Sequence, residues 1–79
     1  MTNREKYDEI FVTSFEIDKS KLNDNLVYNS VPIWDSVGHM GMIAAIEEAF
    51  DIMMDTDDII DFSSYNRGME ILKKYEIEI

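Results

Sequence analysis

No cysteine occurs in the chain, which excludes disulfides, thiolate metal sites and cysteine nucleophiles. A single histidine, His39, excludes a histidine-based catalytic or zinc cluster within one copy. Positive charge is scarce: seven Lys and Arg stand against seventeen Asp and Glu, a net charge of −10. Between Lys21 and Arg67 there is no Lys or Arg at all. That balance repels nucleic acid and anionic membranes and favours basic partners. No apolar run approaches the length of a membrane span, and the N-terminus has no signal-peptide apolar region. A soluble, cytoplasmic, monomeric protein is expected. Its 79 residues suffice for one domain, residues 1–79, near the lower size at which a core holds without staples.

What is present reads as helix. Thr2-Asn3-Arg4-Glu5 fits a capping box, and Tyr7, Ile10, Phe11, Ser14 and Phe15 continue as one face of a helix to about Ile17. Polar turn-formers follow, and a long loop to Asp35 is expected, pinned by Leu22, Leu26, Val27, Val31 and Ile33 and stiffened by the only proline, Pro32. Trp34 reads as an anchor of that loop, with contact to a partner as the second option. A central helix runs to about Asp51 with Met42, Ile43, Ile46, Ala49 and Phe50 on one face. Asp55 or Thr56 opens a short third segment, Ile59 to Phe62, and Ser63 or Ser64 caps a last helix striped by Tyr65, Met69, Leu72 and Tyr75. Lys73 and Lys74 suit the dipole at its end. Glu76 to Ile79 reads as a frayed tail. The expected core is Phe11, Phe15, Leu26, Ile43, Ile46, Phe50, Ile59, Phe62, Met69 and Leu72. No strand, repeat or domain boundary is expected.

Candidate chemistry is sparse. The acidic run invites a calcium loop, but the EF-hand spacing needs Gly at its sixth position and Glu at its twelfth, and Thr56/Phe62 or Ile60/Asn66 stand there; no metal site is expected. No nucleophile–base pair is visible, so the chain is not expected to be an enzyme. His39 reads as an exposed or capping residue. The acids between Lys21 and Arg67 serve either as a solvated face or as a docking surface for electropositive proteins. Ser36 stands where the loop meets the central helix, a position that suits an N-cap residue.

Asp35-Ser36-Val37, followed by the helix through Ile46-Glu47-Glu48-Ala49-Phe50-Asp51, resembles the centre of an acyl carrier protein, whose motif is Asp-Ser-Leu before a helix ending in Leu-Glu-Glu-x-Phe. The resemblance extends to length, acidity and element order. It implies an all-α four-helix bundle with three long helices, a short third helix and a long loop between helices 1 and 2. It implies 4′-phosphopantetheine joined covalently to Ser36, with acyl groups carried as thioesters in fatty-acid, polyketide or specialised acyl-transfer biosynthesis. The partners implied are a phosphopantetheinyl transferase and acyl-activating, acyl-transfer or synthase enzymes with basic docking patches. Asp35, Val37, Met40, Gly41, Glu47 and Glu48 are the candidate recognition residues, with Glu47 and Glu48 pointing off the apolar stripe. The alternatives are a peptidyl, aminoacyl or aryl carrier and, from another class, an acidic helical interaction module whose Ser36 is only an N-cap.

Gly41 departs from the family pattern, which commonly has an acidic residue there. Gly38, Gly41 and Ala45 fall three and four apart and share one small face of the central helix. That face is expected to let a dedicated partner come close and to serve generic fatty-acid enzymes poorly.

Overall fold

The computed structural model describes Met1–Ile79. Four α-helices, α1 (Asn3–Phe15), α2 (Ser36–Phe50), α3 (Thr56–Asp61) and α4 (Tyr65–Lys73), pack as a small all-helical bundle with no strand; a 3-10 turn, Lys19–Lys21, lies in the first loop. The long loop between α1 and α2 and the short α3 stand where the sequence places them.

α1 starts on the expected capping box: Thr2 Oγ1 accepts from Glu5 N–H and the Glu5 carboxylate accepts from Thr2 N–H. Hydrogen bonding from Thr2, its backbone N–H first, also holds the Glu5 carboxyl below its usual range. The helix ends two residues sooner than expected, because Glu16 turns left-handed at φ 53°. Its inner face carries Tyr7, Phe11 and Phe15 into a lattice of rings. Phe11 meets Tyr65 edge-on at 5.4 Å, and the Trp34 ring stacks on Phe15 at 4.9 Å. Trp34 is fully buried, so the loop-anchor reading holds.

The loop is also tied by its backbone. Leu26 C=O accepts from Tyr65 N–H, Tyr28 N–H donates to Ser63 C=O, and Val27 and Ser64 form an isolated antiparallel bridge. Ser64 caps α4 by accepting from Arg67 N–H.

Several expectations are corrected. Phe50, Ile59 and Met69 are only half-buried, while Tyr7, Trp34, Met42, Met54, Tyr65, Ile71 and Ile77 join the core. On α4 the inward face is Tyr65, Gly68, Ile71 and Leu72. Gly68 lies there because α4 crosses close: a methyl at that position would sit 2.2 Å from Phe62 Cζ and 2.3 Å from Tyr7 Oη. The tail is docked and not frayed, since Ile77 is buried and its N–H donates to Leu72 C=O after a left-handed turn at Glu76. Lys74 serves more than the dipole of α4. Its ammonium lies 2.5 Å from the buried Asp58 carboxylate, which also accepts from Tyr75 Oη. The Lys74 and Tyr75 hydrogen bonds hold the Asp58 carboxyl below its usual range.

Candidate functional site

α2 is launched by Asp35. This residue is extended, and its carboxylate accepts from Gly38 N–H at 2.8 Å. Ser36 is therefore not the cap. It is the first helical residue, exposed, and the capping work beside it is already done. The first turn is held tightly: a methyl on Gly38 would lie 1.8 Å from the Ile33 carbonyl oxygen. Gly38 thus lets the loop backbone press on the helix. At Gly41 the equivalent methyl would meet nothing within 4 Å. The expected small face therefore divides into a packed glycine and an open one.

Beside Ser36 lies a cleft of about 370 Å³ lined by Tyr28, Ser36, His39, Met40, Ile59, Ile60, Phe62 and Ser63. Of the four hollows on the surface it is the one that no charged side chain lines; Lys21, the pair Lys73/Glu76 and the pair Lys6/Glu9 mark the others. Ile60 and Met40 are exposed at its rim. Val37 is 80% exposed on the helix face and lies outside the cleft.

His39 departs most from expectation. It is buried, not exposed. Trp34 Nε1–H donates to its Nδ1 at 3.0 Å, and its Nε2 lies 2.8 Å from the Ile59 carbonyl. An indole N–H can only donate and a carbonyl can only accept, so the ring is the neutral tautomer with its proton on Nε2. The signal was present in the spacing, because His39 precedes Met42, Ile43 and Ile46 by three, four and seven residues, the register of the buried stripe. Tyr28 and Ser63 were missed for another reason: the loop-to-α4 bridge brings them to the cleft, and no periodicity encodes it.

The acidic run separates into working and free members. Asp58 is spent on Lys74 and Tyr75, and Asp61 is paired with Arg67. Glu47 is half-buried and its carboxylate accepts from Met54 N–H at 2.9 Å, closing the turn after α2. Glu48, Asp51 and Asp57 remain exposed. No group of three or more acidic or histidine side chains gathers into a metal-binding cluster, and no helix is long and apolar enough to cross a membrane.

No protein-family model matches the chain, and no curated protein matches it.

Proposed function

We propose that the chain is an acyl carrier protein in which the Ser36 hydroxyl takes a 4′-phosphopantetheine arm and the arm's thiol holds acyl groups as thioesters. The observation that carries this reading is the placement of Ser36. It is exposed at the first position of α2, relieved of capping by Asp35, and opens on an uncharged cleft. The residues present fit such a group. A phosphodiester at a helix N-terminus is favoured by free N–H groups and the dipole, and Met40, Ile59, Ile60 and Phe62 offer apolar walls to what the arm bears. The Asp35 carboxylate is turned onto Gly38 N–H, so it orients the helix and does not hold the arm.

On this reading the protein is a substrate and partner of enzymes, and does no chemistry of its own. A transferase delivers the arm to Ser36. Acyl-activating, acyl-transfer or synthase enzymes then meet the exposed apolar residues Val37, Met40 and Ile60, with Glu48, Asp51 and Asp57 attracting their basic patches. Gly41 leaves room for a dedicated partner, and Gly41→Glu should shift service toward enzymes that expect an acid there.

The test is incubation with coenzyme A and several broad-specificity phosphopantetheinyl transferases, followed by intact-mass measurement. One arm should add to wild type and none to Ser36→Ala. No addition with any transferase, or addition that survives Ser36→Ala, removes the proposal and favours the acidic interaction module.

A further inference from the structure

We infer that His39 is the positioning residue of the cleft: from its anchor on Trp34 it caps the end of α3 and so holds the cleft wall shut. α3 has six residues, too few to persist without outside support. Its N-terminal end and the turn leading into it are well supplied with that support. Met54 N–H goes to Glu47, Asp55 N–H to Tyr75 Oη, and Asp58 to Lys74 and Tyr75. The second half supplies Ile59, Ile60 and Phe62 to the cleft, and it lies where helical carbonyls run out of partners. There the His39 imidazole, carried on α2, donates to the Ile59 carbonyl at 2.8 Å. Beyond its backbone bonds, and the Tyr28 N–H that holds the Ser63 carbonyl just past it, the other side-chain tie in this half is the surface pair of Asp61 with Arg67, and exposed pairs hold little.

The donor is fixed in aim by its second nitrogen. Trp34 Nε1–H binds Nδ1, the two ring planes lie 10° apart, and Tyr28 and Phe62 flank the imidazole edge-on. Loop, α2 and α3 are thereby joined through one side chain, a single turn from Ser36. The inference rests on the cleft as the working region and not on the arm. Failure of Ser36 to be loaded and failure of the His39 latch are therefore read in separate experiments.

The two bonds are separable by substitution. The amide of Gln reaches the place of Nε2 and keeps the donation to Ile59. The oxygen of Asn reaches the place of Nδ1 and keeps only the Trp34 bond. Phe keeps neither. Amide hydrogen exchange across Ile59–Phe62, read against the amides of α1 and α4, measures local opening apart from global stability. In His39→Asn and His39→Phe, exchange in Ile59–Phe62 should quicken about tenfold or more, as for one buried hydrogen bond, with α1 and α4 unchanged. Uptake of a neutral apolar dye such as Nile red should rise with it. His39→Gln should stay within about twofold of wild type, since it leaves that bond in place. The latch is overturned if Ile59–Phe62 exchanges at the wild-type rate in Asn and Phe, if all helices quicken in parallel, or if Asn protects and Gln does not. If Phe does not fold, the Gln and Asn pair decides. If neither of those folds, His39 holds the whole core and the inference fails.

Discussion

The wall between α1 and α4 and the cleft between α2 and α3 are built on opposite rules. The wall is a lattice of buried rings closed so tightly that Gly68 leaves no room for a methyl. The innermost tyrosine, Tyr7, has its phenol pushed above the usual range by burial and donates to the Tyr65 carbonyl. At its edge, Arg4 donates to Tyr65 Oη, which donates in turn to Asp8. The cleft has a short helix, exposed Ile60 and Met40, and a wall whose one side-chain tie to α2 is the His39 imidazole on the Ile59 carbonyl, with Tyr28 N–H on the Ser63 carbonyl just beyond. Dense packing gives α1 and α4 one arrangement. α3 is held at its start by Asp58 on Lys74 and Tyr75 and past its end by the buried Phe62, and between these holds it exposes Ile60.

Glycine substitutions contrast the regions most sharply. Gly38→Ala places a methyl on a backbone oxygen and should destabilise by about 3 kcal/mol. Gly68→Ala, which meets ring tips in the wall, should cost about 1–3 kcal/mol. Gly41→Ala, in open space, should stabilise by up to about 1 kcal/mol. Urea denaturation of the three variants checks the order. A costly Gly41→Ala would mean that its face is packed after all.

Acid should loosen the tie of Asp58 to Lys74 and Tyr75. The Asp58 carboxyl titrates lower folded than unfolded. Its contribution is therefore present above the free-Asp value of 3.8 and disappears as pH falls through the folded value. Asp58→Asn should remove that part of the acid dependence and lower the melting temperature at neutral pH. Melts from neutral pH down to about pH 3 read both.

Smaller effects separate neighbours that look alike in sequence. Glu47→Lys should cost about 1 kcal/mol, because Met54 N–H loses its acceptor, whereas Glu48→Lys should stay within about 0.5 kcal/mol. Asp35→Ala should cost about 1 kcal/mol as a lost cap, and Ser36→Ala almost nothing. Thermal melts that rank Ser36→Ala as the costlier substitution would make Ser36 a structural residue.

These pairs show where the sequence was legible. Local signals carried α1 with its capping box, the α2 stripe of Met42, Ile43 and Ile46, the brevity of α3 and the Ser64 cap. Each is written within a few residues by hydrogen-bonding side chains or helical spacing. Contacts between distant segments were not legible. Gly68 is explained only by Tyr7 and Phe62, Glu47 by the turn at Met54, and Ile77 by the chain folding back on α4. In the candidate site, Ser36 and Met40 were legible from the junction and its helix. Tyr28, Ile60 and Ser63 were not, since the loop-to-α4 bridge is a tertiary contact. The burial of His39 lay in its spacing, but a polar side chain on an apolar stripe is ambiguous until its two partners are known.

The division of labour between wall and cleft is tested most directly by amide chemical-shift changes on attaching a short acyl-pantetheine arm to Ser36. Shifts should concentrate at Tyr28, His39, Met40 and Ile59–Ser63, with Tyr7, Phe11, Tyr65 and Ile71 unmoved. Shifts centred on α1 and α4, or spread evenly over the chain, would contradict it.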